Sequence, residues 1–250
     1  MKREIIPIIT FFLVMTFLLS DDAHANEQPP SPSFIDSFEE DITGDGLREY
    51  FKLQGRYLSD DSSYYQDVWL DITSPFSKQW NISFKGGYHP EITLIDINHD
   101  QIVDMFYEVA LGEHDGPYHA QAYTLKDGNV TQINLPKNNH IKGKYIDDFQ
   151  IELTLHQNEQ PIKIPIKNRD QFIDQNIYKE NGEVLGEKNV IIDPIKRYVP
   201  TLISKSKGYG MKSSRQIKDF LHEEVIGTVE TLWYYDHNDW IILKTNWKPS

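Results

Sequence analysis

From Glu49 onward the chain repeats one kind of unit: a short run in which apolar or aromatic residues alternate with polar ones, closed by a cluster of turn-forming residues. Two-residue alternation places successive side chains on opposite faces of a strand, so the pattern predicts half-buried β-strands. The runs cover residues 49–57, 66–72, 80–84, 91–96, 104–111, 120–125 and 129–134, and Asp127-Gly128 supplies a hairpin turn before the last. The pattern continues at 149–155 and 162–166, with a turn at Asn181-Gly182. Near the end, residues 225–235 and 240–245 flank Asp236-His237-Asn238-Asp239 and predict another hairpin. Only residues 214–224 depart from it, where Ile217, Phe220 and Leu221 share one helical face behind a serine cap. The expectation is a mainly β chain with one short helix.

The beginning of the sequence follows different rules. Lys2 and Arg3 precede an apolar run from Ile5 to Leu19, and Ala23-His24-Ala25 follows with the small residues that a signal peptidase reads. The run is short for a bilayer crossing, which takes roughly 20 apolar residues. Residues 1–25 therefore read as a signal peptide, with an uncleaved anchor as the alternative. Residues 26–33, with three prolines, read as a flexible leader. A secreted or extracytoplasmic cell-surface location follows, with no stable membrane span after signal cleavage. No cysteine is present, which excludes disulfides and a lipid-modified cysteine. The net charge of −13 argues against nucleic acid, whose phosphates need clustered Lys and Arg, and makes cations the more natural partners.

An internal repeat carries the most specific chemistry. DITGDGLRE, Asp41 to Glu49, recurs 55 residues later as DINHDQIVD, Asp96 to Asp104, and a predicted strand follows each copy at once. Calcium takes six to eight oxygens at about 2.3–2.6 Å, and a tightly turning loop can supply them from alternate positions. The first loop offers Asp41, Thr43, Asp45, the Leu47 carbonyl and Glu49; the second offers Asp96, Asn98, Asp100, the Ile102 carbonyl and Asp104. Gly46 suits the sharp bend of the first loop, whereas Gln101 stands at the matching position of the second. A helix-loop-helix calcium hand does not fit, because Lys52 and Tyr107 occupy the positions where it needs a bidentate glutamate. The competing explanation is that Asp and Asn cap these turns by bonding to nearby backbone.

DITGDGLRE and DINHDQIVD resemble the calcium loops of FG-GAP/VCBS repeats, found in integrin-type propeller blades and in many exported bacterial proteins. The resemblance covers residues 34–134. It implies two calcium-loop β repeats in a propeller-like antiparallel array, followed by a β-rich region over residues 135–250 that can belong to the same domain. By the same resemblance, Asp41, Thr43, Asp45 and Glu49 would ligate one calcium ion, and Asp96, Asn98, Asp100 and Asp104 another. It further implies a noncatalytic envelope, adhesion or scaffold role, with a cell-envelope glycan or a protein as ligand.

Signals for catalysis are weaker. His114-Asp115-Gly116-Pro117-Tyr118-His119 could draw two imidazoles and a carboxylate together for zinc, but no third histidine is near, so a solvated loop is the better account. Neither a glycine-rich loop before a lysine nor a serine elbow is present. Paired carboxylates for glycan hydrolysis are available in principle among Glu108, Glu113, Asp115, Glu223 and Glu224, which keeps a secreted carboxylate-dependent hydrolase as the second reading. Trp233, Tyr234, Tyr235, Trp240 and Trp247 form an aromatic C-terminal hairpin, read first as sheet core and second as a platform for sugar rings or a protein. The leading expectation is an exported calcium-binding protein without enzymatic activity.

Overall fold

A computed structural model describes residues 30–114, 116–137, 140–156 and 160–250. The signal segment and the first half of the leader, residues 26–29, lie outside the described residues. Strands β1 (Ser33–Glu40), β2 (Glu49–Tyr57), β3 (Tyr65–Thr73), β4 (Gln79–Ile95), β5 (Asp104–Ala110), β6 (Tyr118–Thr124) and β7 (Thr131–Ile133) form one antiparallel meander in sequence order. β8 (Lys142–Ile146), β9 (Gln150–Thr154) and β10 (Ile162–Pro165) form a second sheet, followed by the helix α1 (Arg169–Asp174). The third sheet runs β11 (Ile191–Ile192), β13 (Gly208–Lys218), β14 (Val225–Asp236) and β15 (Asp239–Pro249), with β12 (Arg197–Ser204) on the same edge of β13 as β11.

The expected propeller-like blades are not what forms. The two acidic loops sit in one open sheet whose ends, β1 and β7, do not pair, so no ring of separate blades closes. The physical reason is β4. Its first half pairs with β3 and its second half with β5, so a single 17-residue strand carries both halves of the meander. The changeover from β3 to β5 falls at Gly86-Gly87, just before the bulge between Tyr88 and Glu91. A Cβ at Gly86 would overlap the Tyr65 carbonyl, and one at Gly87 would overlap the Ala110 carbonyl, so both neighbours approach as closely as they do only because side chains are missing.

The helix expected at residues 214–224 is also absent. Residues through Lys218 lie in β13, and a turn held by Asp219 follows. Ile217 is buried there by sheet packing, not by a helical face, and the helix forms at Arg169–Asp174 instead.

Three apolar cores hold the sheets. Phe51, Leu53, Leu70, Ile72, Phe84 and Tyr107 fill one core within the bent meander. On the other face of the meander, Ile95, Ile97, Phe106, Ala122 and Ile133 meet Met211 and Trp233 of the third sheet. The third core lies around Tyr145, Ile151, Leu153, Phe172 and Tyr178, and includes Ile217 and Val229 from the third sheet. β5 is buried along its whole length because Met105, Tyr107 and Val109 serve the first core while Phe106 serves the second. The aromatic hairpin behaves mainly as core. Trp233 is 2% exposed and donates from Nε1 to Ser213 Oγ at 2.9 Å, and Trp240 Nε1 donates to the Asn134 carbonyl at 2.6 Å.

Met211 is fully buried where the first and third sheets meet. M211A is expected to cost about 2–5 kcal/mol in urea denaturation. Because that core is shared, near-ultraviolet circular dichroism and tryptophan fluorescence should report one common transition; two separated transitions would show that the sheets fold independently.

Candidate functional site

The two acidic loops adopt the same backbone pattern, which explains the sequence repeat. Gly44 and Gly46 have φ of 79° and 85°, and the matching His99 and Gln101 have φ of 62° and 70°, so the second loop makes the bend without glycine. The hydrogen bonds match as well. The Ile42 N–H donates to Glu49 Oε2 at 3.1 Å, and the Ile97 N–H donates to Asp104 Oδ2 at 2.8 Å. Gly46 N–H reaches Asp41 Oδ2 and Gln101 N–H reaches Asp96 Oδ2; Leu47 N–H reaches Asp45 Oδ1 and Ile102 N–H reaches Asp100 Oδ1. The loops lie against each other, since a Cβ on Gly44 would stand 2.7 Å from Ile102 Cδ1. A single turn of 3₁₀ helix, Lys126–Gly128, clasps both. Lys126 Nζ binds Asp100 Oδ2 at 3.1 Å, and the Asp127 N–H donates to the Thr43 carbonyl at 3.3 Å.

The loops differ in what remains unpaired. In the first, Asp41 uses both oxygens on the Gly44 and Gly46 amides, and Glu49 uses both on the Ile42 amide and the Thr43 hydroxyl. In the second, Asp96 Oδ1 and Asp104 Oδ1 are buried without a hydrogen-bond partner. Asp104 is fully buried, and burial pushes its carboxyl up to about 6; the Ile97 amide and the Thr124 hydroxyl pull it back in part. Burial likewise raises the Glu49 carboxyl. Among the described residues, no three His, Cys, Asp or Glu side chains are already gathered into a metal cage. The oxygens of the second loop fit a hard cation by chemistry, because Asp96 Oδ1 is buried with no donor and Asp104, beyond the two amides on its Oδ2, has only the Thr124 hydroxyl beside it.

A second constellation was not singled out by the sequence. A cleft of about 530 Å³ opens where β1, the β2–β3 connection and the bulge of β4 meet, and Asp36, Tyr57, Ser63, Tyr65, His89 and Glu91 line it. The Tyr57 and Tyr65 rings stack at 4.2 Å with their hydroxyls 2.7 Å apart. Burial, then the hydrogen bond to Tyr57, pushes the Tyr65 phenol up to about 12, so it stays a donor at neutral pH. A Cβ at Gly55 would run into the Tyr65 ring, so glycine there lets the tyrosines lie flat. His89 stands at φ 51° inside the register shift between Tyr88 and Glu91. That bulge aims an imidazole and a carboxylate at the cleft, a use of bulges beside active sites elsewhere.

Glu91 has Glu108 as its cross-strand neighbour. Arg197 of β12 neutralises that pair, binding both Glu108 oxygens and lying 4.2 Å over the Tyr118 ring. Glu108 is therefore committed to holding the first and third sheets together, and its bond raises the Arg197 pKa. The other acids considered from sequence do not form the expected pair: Glu223 and Glu224 lie in the turn after β13, Glu113 is exposed, and Asp115 lies outside the described residues. Of the two histidines considered for zinc, His114 is exposed in a loop, and His119 sits on β6 with its pKa lowered by burial.

Residues 139–248 match the family model described as the YybI C-terminal domain. No curated protein matches the chain. Among solved structures, a Bacillus licheniformis rhamnogalacturonan lyase of type PL11 is similar at 15% identity and a TM-score of 0.37, over 87% of this chain and 34% of that one. The rhamnogalacturonan lyase YesW gives 14% and 0.38 over 87% and 34%, and the exotype rhamnogalacturonan lyase YesX gives 13% and 0.38 over 87% and 33%. The chain thus spans about a third of the length of these lyases. Because the acidic loops sit in one open meander and not in separate blades, the FG-GAP/VCBS reading of residues 34–134 is withdrawn. The noncatalytic envelope, adhesion or scaffold role, and the leaning against enzymatic activity, go with it. At these TM-scores the likeness itself assigns neither fold nor activity. Among the described residues, no helix is long and apolar enough to cross a membrane.

The raised Asp104 pKa has a definite sign. The native state holds this proton more tightly than the unfolded chain, so its contribution is fully present below about pH 4 and is lost as pH rises through about 6. In chelator, stability should fall by roughly 3 kcal/mol across that window through this group. D104N can keep its carbonyl oxygen on the Ile97 and Asn98 amides, and is expected to flatten the decline in urea titrations between pH 4 and 7; an unchanged decline would place its origin elsewhere.

Proposed function

We propose that the chain is an extracytoplasmic glycan hydrolase working at the cleft between Asp36 and Glu91, with calcium bound in the acidic loops as a structural ion. The observation that carries the catalytic part is that two acids, a histidine and two tyrosines line one open cleft. Glycoside hydrolysis requires a pair of carboxyl groups, one protonating the leaving oxygen and one activating water or attacking the sugar. The stacked tyrosines supply an apolar flank for a sugar ring together with hydroxyl donors for its polar edge. The apolar N-terminal run supports the extracytoplasmic location. This is the carboxylate-dependent reading of the sequence, moved to a different pair of acids.

Calcium would act on stability. In the second loop it would be held by Asp96, Asn98, Asp100, the Ile102 carbonyl and Asp104, and it would neutralise the buried Asp96 and Asp104 carboxylates. In the first it would be held by Asp41, Thr43, Asp45, the Leu47 carbonyl and Glu49, but Asp41, Asp45 and Glu49 already accept backbone amides and Thr43 donates to Glu49, which supports weaker binding there.

Reducing-end release from a panel of neutral polysaccharides and peptidoglycan fragments tests the activity. E91Q and D36N are each expected to lower kcat by about 100-fold or more, while E224Q is expected to leave it unchanged. No turnover on the panel, or turnover indifferent to both cleft variants, would remove the reading. Separately, calcium at about 10 to 100 times its dissociation constant should stabilise the protein by roughly 1–3 kcal/mol. D96N combined with D104N should abolish most of that gain and D41N little of it; equal losses would rank the loops alike.

A further inference from the structure

A second cavity lies in the C-terminal half, away from the cleft. It measures about 260 Å³ and sits between the three-stranded sheet, α1 and the start of β14. Its inner wall is apolar, formed by Ile151, Ile164, Phe172 and Ile226. Apolar cavities of roughly 150 Å³ suffice to take up a benzene ring, so this one has room for a ring and a short chain. The rim differs in character. Asp219 and Glu224 stand there with Lys167 as the one lysine or arginine among the lining residues, and His222 lies beside Asp219 with its Nδ1 3.7 Å from Asp219 Oδ1.

Asp219 is the informative residue. It is 5% exposed, and its carboxylate accepts the amides of Leu221 and His222 at Oδ1 and of Glu224 at Oδ2. A carboxylate has about four acceptor sites, so three donors leave one open on Oδ2. The backbone thus holds a nearly buried anion in a fixed position at the edge of an apolar chamber. We infer that this cavity binds a small amphipathic organic cation, with its apolar body against Phe172 and Ile226 and its ammonium group on Asp219 and Glu224. An apolar chamber with a few convergent polar groups is the usual form of a small-molecule site. The acidic rim selects the charge of the occupant, and an alcohol of the same shape fills the chamber without using the carboxylates. This site is independent of the proposed hydrolytic cleft.

The test is isothermal titration of the full chain with 2-phenylethylammonium, 2-phenylethanol and 3-phenylpropionate. The ammonium compound is expected to bind about tenfold or more tightly than the alcohol, as a charge-assisted hydrogen bond implies, and the carboxylate not at all. I164W, which fills the chamber, should abolish binding, and E224Q should narrow the gap between amine and alcohol. If I164W does not fold, amide shifts on titrating the unaltered chain locate the site: they should cluster at Phe172, His222 and Ile226. Equal binding of the amine and the alcohol, or shifts centred elsewhere, would overturn the inference.

Discussion

The carboxylate of Asp104 is sealed from water at the mouth of a strand that is itself buried on both faces. Much of the N-terminal architecture follows from that placement. Its Oδ2 gathers the Ile97 and Asn98 amides and so closes the second acidic loop into the bend that delivers the chain from β4 to β5. β5 then divides two cores, and the one on the outer face of the meander is shared with the third sheet. The loop also touches that sheet directly. His99 stacks on Tyr234 at 4.4 Å, the Lys207 ammonium lies 5.5 Å from the centre of the same tyrosine ring, and Gly208 leaves room for the imidazole. A buried charge that would be costly alone is thereby tied to the contacts joining the two halves of the molecule.

The proposed cleft depends on local devices of another kind. Gly55 makes space for a flat tyrosine, Gly86 and Gly87 let β4 pass from β3 to β5, and the bulge that follows re-aims His89 and Glu91. Glu108, directly opposite Glu91 in the register, looks equally catalytic by residue type, yet Arg197 has already claimed it as a cross-sheet tie. The same chemical group is a cross-sheet tie at one position and lines the cleft at the opposite one because of what the neighbouring strand presents.

Alternation made most strands legible. Residues 49–57 form β2 as expected, and the runs at 66–72, 104–111, 162–166 and 225–235 each fall on a strand within a few residues. The two loops were legible as a repeat, down to hydrogen bonds that pair position by position. What failed was longer in range. Nothing in the separate runs 80–84 and 91–96 signals that one strand joins them, and that junction decides between separate blades and one bent sheet. Residues 214–224 carry an apolar spacing compatible with a helix, and pairing of 214–218 with β11 and β14 overrode it. The cleft escaped notice because Asp36, Tyr57, Tyr65 and Glu91 converge only through sheet register. The adjacency of Tyr57 and Tyr65 across a short turn was the one local clue.

The central claim is that the second acidic loop, shaped around Asp104, docks the N-terminal meander onto the third sheet. A double-mutant cycle on His99→Ala and Tyr234→Ala, read by urea denaturation, measures that docking contact directly. The account predicts a favourable coupling of about 0.5–1.5 kcal/mol, the range for an aromatic pair. Strictly additive losses would mean that the loop and the sheet lie side by side without holding each other, and would contradict it.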